Sequence, residues 1–534
     1  MYTLFPAFSH LVPTLLFKTM KIKSILLLAL LFCQGCSDQY LDIFPEDKIT
    51  KANFPQNEAD IKLALNGVYA LLREKSIYDE GLFGFGALDG ATPNAFNWGN
   101  TSIAKIGNGQ LSSQDAQMIT FRWTRCYAIV FRANYLMSAL EEVELADKTK
   151  ATYLGEVHFL RGLAYSLLVD SYGGVPLILE AVTATEARNL TRATKDEIWN
   201  QVIADYDVAI QNLAEKAPEV GRADKGAALG MKMRAYLYQN KYDKVLEVVN
   251  QIEALKKYAL FPSYEGLFKQ ENENNKEVIF DIQYISGENS QGTFIDQYCG
   301  TGTGSFTRGS RYVPTDDLVS AYETLDGSAP DPKNPLKNRD PRLGFTVVLP
   351  GTYILGFQFP NYLYPGGAYN HPGNRLKHLS TRKYREDQMA SLPPSGQSNM
   401  NNIVLRYADV LLSKAEALIE TNKNLDEAIA LINRIRTERN DVKLPPLPTG
   451  LSQAEARTRL RKERRIEFAL EGLYWFDIKR WNLGQQLYPL VIKDHLGGVI
   501  ETKFPNGYLD YYNLLPIPVN ELSLNPNLVQ NPGW

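Results

Sequence analysis

The chain has 534 residues, a length that allows one large domain or two closely packed ones. With 44% hydrophobic and 22% charged residues, its composition is that of a globular protein. The formal net charge of -3 at pH 7 offers no basic surface to nucleic acid, so polyanionic partners are not expected. Aromatic residues are abundant, with 30 Tyr, 23 Phe and 6 Trp, and exposed rings of this kind are good binding platforms.

An export signal lies near the start of the sequence. Lys21 and Lys23 are followed by an apolar run at 25–32 and then by a glycine and Cys36. This order is typical of a signal peptide, and the run is much shorter than the roughly 20 residues that span a bilayer. Residues 31–36 resemble a lipobox, so we expect Cys36 to carry the lipid as the first residue of the mature chain.

The signal leads to a division of the chain into four segments. They are an upstream extension with the signal peptide, a lipidated tether, an N-terminal helical region, and a C-terminal region with a loop-rich insertion. Their bounds are 1–35, 36–45, 46–284 and 285–534, with the insertion at 285–400. Ser37 and Asp38 resemble the acidic export signal of surface lipoproteins, which predicts an outer-membrane protein facing the cell exterior.

The cysteines and histidines favour neither a zinc site nor another cofactor. Once Cys33 leaves with the signal and Cys36 is acylated, Cys126 and Cys299 remain. Cys126 lies in a helical pattern, and we interpret it as a small buried hydrophobe. A disulfide between Cys126 and Cys299 is the alternative. The predicted mature chain contains no CxxC motif, and the five histidines lack ligand spacing.

Apolar residues recur at helical spacing through most of the first half and again near the end. Two helical hairpins with short polar turns stand out, each similar in length and alanine content to a tetratricopeptide unit. The first covers 225–238 and 242–252, and the second covers 405–419 and 425–435; further helical stripes lie at 121–140, 153–169 and 198–213. The predicted fold is therefore mainly α, a scaffold of helical hairpins that carries large insertions.

Two loop-rich stretches interrupt the helical pattern, one at 78–109 and one at 285–400. Loops as long as the second are usually functional or disordered, and its interspersed aromatic residues favour order. A rigid frame that carries aromatic loops is typical of a binding protein.

The segment 94–100 combines the two kinds of side chain that a sugar requires. Rings stack on the apolar face of a sugar, and amides bind its hydroxyl groups. The rings are Phe96 and Trp98, and the amides are Asn94, Asn97 and Asn100. Because the segment shows no helical or strand period, we predict that Trp98 is an exposed stacking platform. The alternative is that Trp98 fills the helical frame beneath.

Motifs along the whole mature length resemble the SusD/RagB family of nutrient-binding outer-membrane lipoproteins. No single motif decides the match, but so many in the family's order argue against coincidence. They are GEVHFLRGLAYSLLVDSYGGVPL at 155–177, GRADKGAALGMKMRAYLY at 221–238, PTDDLVSAYETLDG at 314–327, NRDPRL at 338–343, RYADVLLSKAEAL at 406–418, RRIEFALEGLYWFDIKRW at 464–481 and LPIPVNELSLNPNLVQNPGW at 515–534.

This resemblance implies a helical fold with about four tetratricopeptide-like hairpins, a loop-borne ligand face, and a SusC-like TonB-dependent transporter as partner. It also implies that sugar-contacting residues lie near 94–100 and 298–312. The second-half candidates are Tyr298, Phe306, Tyr312, Tyr362 and Tyr364. We therefore predict a lipid-anchored protein that binds an oligosaccharide, does no chemistry on it, and delivers it to the transporter.

Most of the family motifs look structural. Ile466, Leu470, Leu473 and Phe476 form a core stripe. Glu467 and Glu471 invite an acid/base interpretation, but a glycosidase needs two carboxylates that flank a cleft. The turn at 338–342 is predicted to be held by charge-assisted hydrogen bonds. Calcium at Asp316, Asp317 and Asp326 is a weaker alternative, because the ligand alternation of a dedicated loop is absent.

Two other functions stay open at this point. A surface glycoside hydrolase would be inactivated by loss of one carboxylate, and a member of the same family could bind a peptide instead of a glycan. The sequence has no nucleophile elbow, HExxH or phosphate-binding loop.

Overall fold

Helices make up most of the structure. The computed structural model describes residues 54–74, 77–78, 86–97, 101–287, 291–293, 312–349, 352–354, 357–358, 380–385, 397–493 and 498–534. Its longer helices are α1 Glu58–Ala70, α2 Ser102–Gly107, α3 Phe121–Glu142, α4 Asp147–Tyr172, α5 Lys195–Asn212, α6 Lys225–Tyr238, α7 Tyr242–Ala254, α8 Asp316–Ala321, α9 Arg342–Thr346, α10 Tyr407–Glu420, α11 Leu425–Thr437, α12 Gln453–Glu467, α13 Tyr474–Arg480 and α14 Val519–Leu524. The mainly helical fold is therefore confirmed.

The described strands are short and form five separate two-stranded antiparallel ribbons. The strands are β1 Ala95–Asn97, β2 Val278–Ile282, β3 Tyr312–Pro314, β4 Val347–Val348, β5 Tyr353–Ile354, β6 Phe357–Gln358, β7 Ser380–Thr381, β8 Asn402–Arg406, β9 Leu490–Lys493 and β10 Val499–Lys503. The pairs are β1 with β3, β2 with β8, β4 with β7, β5 with β6, and β9 with β10. Two of these ribbons, β1–β3 and β2–β8, join segments more than 100 residues apart, so they fasten the insertions to the helical frame.

Both predicted helical hairpins are present, and both turn on asparagine. The α6–α7 turn has Asn240 at φ 56°, and the α10–α11 turn has Asn422 at φ 53° and Asn424 at φ 40°. Asparagine tolerates the left-handed region because its short amide bonds locally to the backbone. Asn424 also caps α11, since its side chain accepts a hydrogen bond from the Glu427 N–H. One correction applies to the second hairpin: Leu405 and Arg406 belong to β8.

The remaining long helices pack beside these hairpins. α3 packs on α4, α4 on α5, and α5 on α6, while α7 packs on α10. The α4 helix ends at Gly173, whose φ of +74° suits a glycine. Cys126 on α3 is fully buried and unpaired, as expected for a small hydrophobe, whereas Cys33, Cys36 and Cys299 lie outside the described residues.

One continuous apolar core runs through the helical frame, and a second core cluster lies under the C-terminal insertion. Both belong to the unit Asn57–Trp534; the preceding unit, Met1–Gln56, is described only from residue 54. The predicted stripe of Ile466, Leu470, Leu473 and Phe476 is buried. None of the described helices has the length and apolar character that crossing a membrane requires.

Candidate functional site at the base of the aromatic loops

A three-residue ribbon joins the two loop segments that the sequence singles out. Strand β1 pairs with β3 in antiparallel register, with Asn97 opposite Tyr312 and Phe96 opposite Val313. The expectation that 94–100 has no regular structure is therefore wrong for 95–97. Because the pair is antiparallel, the chain after Asn97 and the chain before Tyr312 leave the ribbon at the same end. Residues 98–100 and the region 298–311 thus share one point of attachment.

The same two loop segments are also held together where they begin. The Tyr284 hydroxyl donates a 3.1 Å hydrogen bond to the Tyr78 carbonyl, to which the Asn402 amide also donates at 2.7 Å. Arg73, which precedes the first loop, donates to the Gln291 side chain in the second. These hydrogen bonds therefore hold the starts of the two loop segments next to each other.

A hydrogen-bonded turn fixes the entry to β1. The 3-10 helix Gly86–Ala91 precedes it, and the Thr92 hydroxyl closes the turn by donating to the Asp89 carbonyl at 2.8 Å. Thr315 then connects the ribbon to α8, since its N–H donates to the Asn94 carbonyl at 3.0 Å and its hydroxyl accepts from the Leu318 N–H. An N-terminal cap on α8 therefore also secures the ribbon.

The exit from β1 is fixed as well. Thr101 caps α2, and its hydroxyl accepts a hydrogen bond from the Ala104 N–H at 3.1 Å. Residues 98–100 therefore connect a paired strand to a capped helix over only three residues.

The 3-10 helix before β1 contains a buried carboxyl group. Asp89 is fully buried and accepts a hydrogen bond from the Gly472 N–H at 3.3 Å. Burial raises the pKa of Asp89 to about 7, although hydrogen bonds from the Gly472 and Leu470 backbone and the nearby charge of Lys383 act in the opposite direction. Asp89 is therefore a buried carboxyl group in the 3-10 helix before β1, and its charge can change near neutral pH.

Two cations hold the backbone and side chains of this region. The Arg465 guanidinium donates to the Asn94 side-chain oxygen at 2.8 Å, pairs with Asp317 on α8, and lies 5.1 Å from the centre of the Tyr474 ring. The buried Lys503 ammonium donates to the Gly90 carbonyl at 2.5 Å. Charge-assisted bonds of this kind fix the turn before β1 to α12 and β10.

Gly90 packs closely against the side chains of Asn97 and Ile103. A Cβ at Gly90 would lie 2.9 Å from Asn97 Cγ and 3.1 Å from Ile103 Cγ2. Real Cβ atoms essentially never show the shorter of these two distances, so a larger residue at position 90 would require the Asn97 side chain to shift.

The structure corrects three of the predicted ligand contacts. Phe96 is 1% exposed and packs with Val313 and Ile492, so it is a core residue rather than a stacking ring. Asn97 is 4% exposed and Asn94 is fully buried, so neither amide is open to a ligand in solvent. All three side chains are covered because the strand and the turn before it lie between other elements of the fold.

The other predicted ligand residues lie outside the described part of the chain. They are Trp98, Asn100, Tyr298, Phe306, Tyr362 and Tyr364. Tyr312 is the first residue of β3, and the structure describes its backbone but not its side chain. Sequence reasoning does not find Asp89 or Lys503, because a buried ionisable residue has no local pattern that distinguishes it from an exposed one.

The family motifs of the C-terminal half meet in a buried ion network. Arg342 from NRDPRL donates to Glu467 at 3.0 Å, and Arg406 from RYAD donates to the same carboxylate at 2.6 Å. Burial alone would raise the pKa of Glu467, but the guanidinium groups of Arg439, Arg406 and Arg342 hold it well below its ordinary value. Glu467 is therefore a structural carboxylate, buried and enclosed by cations.

Glu471 has the same character. It pairs with Lys383 at 2.8 Å and with Arg406 at 2.7 Å, and its side chain is 5% exposed. Among the described residues, neither Glu467 nor Glu471 flanks a cleft that a substrate could enter.

The predicted turn at 338–342 is confirmed. Arg339 donates hydrogen bonds to the Val319 and Tyr322 carbonyls, each at 2.6 Å, and Arg342 pairs with Asp340 at 2.8 Å. These charge-assisted bonds join the turn to the end of α8 and to the Glu467 network.

The acidic residues considered for calcium have other partners. Asp317 pairs with Arg465, and Asp326 accepts hydrogen bonds from the Ser328 N–H and hydroxyl at 3.0 and 2.7 Å. Within the described ranges, no three His, Cys, Asp or Glu side chains are grouped as a metal site would require.

Comparisons with known proteins identify the family. Residues 276–534 match the family model described as the SusD family, and residues 39–237 match one described as starch-binding associating with outer membrane. The chain belongs to the SusD/RagB family. The two matches together cover most of the helical frame and all of the C-terminal insertion.

Relatives match this SusD/RagB chain along nearly its whole length. SusD-like protein P2 of Formosa agariphila is 27% identical over 96% of this chain and 100% of its own. The starch-binding protein SusD of Bacteroides thetaiotaomicron is 23% identical over 92% of this chain and 95% of its own. A crystal structure of a SusD-like carbohydrate binding protein from Bacteroides fragilis superposes with a TM-score of 0.78 at 27% identity, covering 88% of this chain and 99% of that one.

Proposed function

We propose that this protein binds an oligosaccharide at the outer surface of the outer membrane and delivers it, unmodified, to a SusC-like TonB-dependent transporter. The observation that carries the proposal is the β1–β3 ribbon, which attaches the segment containing Trp98 and the region before Tyr312 at one point. Rings and amides from two loops can then converge on one ligand. Family membership and the carbohydrate-binding relatives support a glycan as that ligand.

The surroundings of Glu467 and Glu471 support the proposal that the protein does not cleave its ligand. Glu467 and Glu471 are enclosed by Arg and Lys side chains and are not arranged around a cleft in the described residues. A glycoside hydrolase would need an accessible pair at a defined separation. Incubation of the protein with the bound glycan, followed by analysis of the products, tests this directly: released fragments would favour the hydrolase.

The anchor is tested separately from binding. Metabolic labelling with palmitate should modify the wild-type chain and leave Cys36→Ala unlabelled. Protease treatment of intact cells should then remove the protein from the surface. Label that persists in Cys36→Ala would contradict the anchor, whereas resistance to protease would contradict only the outward orientation.

The transporter is tested by affinity purification from detergent-solubilised outer membrane. A large β-barrel should be recovered with the tagged wild-type protein, because a tethered binding protein needs a partner to carry the ligand inward. Recovery of no barrel in mild detergent would contradict the partnership and leave glycan binding untouched.

A further inference from the structure

A polar pocket with a volume of about 230 Å³ lies on the helical frame. Its walls come from α1 and the turn after it, from the segment that joins α5 to α6, and from the end of β2. Pockets for drug-sized ligands have volumes of roughly 300–1,000 Å³, so this pocket suits one small ring. The polar part of its lining includes Asn66, Arg73, Glu219, Arg222, Asp281 and Gln283.

The charged side chains of the lining balance one another. Arg73 and Arg222 supply two positive charges, and Glu219 and Asp281 supply two negative charges. Burial raises the pKa of Asp281 to about 6, although side-chain hydrogen bonds act against it, so this carboxyl group is mostly ionised at neutral pH. A lining without net charge favours a neutral polar occupant over a metal ion or a phosphate.

Neither carboxylate of the lining is left open to a free ammonium group. Glu219 pairs with Lys62 and, at 2.9 Å, with Arg222. Asp281 accepts hydrogen bonds from two side-chain amides, at 2.7 and 3.5 Å. An amino acid zwitterion needs an unpaired acceptor for its ammonium group, so the pocket is poorly matched to one.

Arg222 holds the walls of the pocket together. Its guanidinium donates to the Asn66 side chain at 2.7 Å, to Glu219 at 2.9 Å and to Glu156 at 3.0 Å. The Tyr69 hydroxyl donates to the same Glu156 carboxylate at 2.7 Å. These bonds join α1 to α4 and to the segment after α5, so the pocket is formed without a ligand.

Several polar groups of the pocket have hydrogen-bonding capacity that the protein does not use. Arg73 donates to the Gln291 side chain, and its remaining N–H groups have no partner among the described residues. The amide N–H groups of Asn66 likewise donate to no described residue. The Asp281 carboxylate has about four acceptor positions, and side chains occupy two of them. A sugar hydroxyl both donates and accepts, so it can use both kinds of group.

Apolar surface borders these polar groups. Val220 lines the pocket and is 71% exposed, and Ala70, Leu72 and Ile282 belong to the same lining. One face of a sugar ring consists of C–H groups, so a sugar site needs an apolar contact as well as hydrogen-bond partners. The pocket provides both within a volume that fits one ring.

The pocket includes residues at the start of each loop segment. Arg73 is in the turn that precedes the first segment, and Gln283 follows β2 just before the second. The hydrogen bond from Arg73 to Gln291 connects the two starts. A ligand in the pocket would therefore contact residues that hold the loop starts together.

We propose that this pocket is a second carbohydrate site, separate from the ligand face of the loops, that binds one neutral sugar residue, an inference that rests on the proposed function. Arg73 and Asn66 donate to the sugar hydroxyl groups, and Asp281 accepts from them. Val220 contacts the C–H face of the ring. The pocket thus adds a sugar contact on the frame to those expected on the loops.

Saturation-transfer NMR tests the site with the methyl glycosides of glucose, galactose, mannose and xylose, and with glycine as a zwitterion. The protein is the soluble chain lacking residues 1–36. At least one glycoside should bind wild type and Trp98→Ala alike, because the pocket is outside the loop that contains Trp98. Crystals soaked with that glycoside should show it between Arg73 and Asp281.

Two variants remove the free donors of the pocket one at a time. Arg73→Ala and Asn66→Ala should each weaken affinity for that glycoside about ten-fold, which corresponds to about 1.4 kcal/mol. Asn66 is exposed on α1, so its replacement should not unfold the protein. Arg125→Ala is the matched control, because this partly exposed arginine pairs with Glu74 and does not line the pocket. It should bind as the wild type does, and equal thermal midpoints verify the folds.

Several outcomes would overturn the inference while the proposed function stands. They are a wild-type protein that binds an oligosaccharide but none of the glycosides, glycoside binding that survives in both Arg73→Ala and Asn66→Ala, loss of glycoside binding in Trp98→Ala, and binding of glycine in preference to the glycosides. A wild-type protein that binds no glycan of any length would instead contradict the proposed function itself, and this site with it.

Discussion

Asp89 is a buried acidic residue in the 3-10 helix that precedes β1. Its pKa is raised by burial from 3.8 to about 7. Between those two values the folded protein holds a proton that the unfolded chain has lost, so stability falls as the pH rises through this window. Across this window the shift lowers the free energy of unfolding by at most about 4 kcal/mol. Asp281, with a pKa raised by burial to about 6, acts in the same direction.

We therefore expect Asp89→Asn to flatten the pH dependence of stability. The amide stays neutral, so the thermal midpoint should decrease less between pH 4 and pH 8 than in the wild type. A residual slope from Asp281 should remain. Midpoints measured in steps of half a pH unit test this, with Asp243→Asn as the exposed control. Equal slopes for Asp89→Asn and wild type would contradict the assignment.

The burial of a single residue is predictable where the residue lies on a helix with a regular apolar stripe. Cys126 is buried because its helix has a regular apolar stripe. The predictions for Phe96 and Asn97 are wrong because a three-residue strand is too short to show alternation, and its partner β3 is more than 200 residues away in sequence. Only the folded chain reveals that these side chains are covered.

At the scale of elements, the β1–β3 ribbon joins the two loop segments that we propose form one site. We expect the double variant Asn97→Cys with Tyr312→Cys to form a disulfide, because residues directly opposite in an antiparallel pair have Cα atoms about 4.5–5.5 Å apart. Mass spectrometry with and without reductant detects the bond. The oxidised protein should have a higher thermal midpoint, and each single variant serves as a control.

A failure of that disulfide to form in the folded protein would contradict the register of the ribbon.

Elements with strong local signals are predictable: the α6–α7 and α10–α11 hairpins follow from apolar spacing and asparagine turns. The ribbons are not, since their pairing depends on contacts between distant segments.

At the scale of the whole molecule, the Glu467 network connects the C-terminal motifs to each other. Glu467→Gln leaves Arg342, Arg406 and Arg439 without a shared buried counter-charge, which should cost about 3–5 kcal/mol of unfolding free energy. The exposed pair Arg434–Glu438 provides the matched control, and Glu438→Gln should cost less than about 1 kcal/mol. Urea unfolding of both variants measures the difference, and equal costs would contradict a structural role for the network.

The same network explains why the family is recognisable from sequence while the ligand is not. The motifs that carry the resemblance supply the buried ion pairs of the frame. The ligand contacts are proposed to lie on loops that the frame holds at their base, and the motifs of the frame carry no information about the identity of the ligand.

The loops above the ribbon are proposed to bind a glycan without chemical change, with Trp98 as the main stacking residue. The most direct test measures glycan binding by the soluble chain lacking residues 1–36, for wild type and Trp98→Ala in parallel, together with their thermal midpoints. Stacking on one ring is worth about 1–3 kcal/mol, so Trp98→Ala should weaken affinity by roughly one to two decades with an unchanged midpoint. Unchanged affinity for the bound glycan, or a large fall in midpoint from loss of a core side chain, would contradict the account.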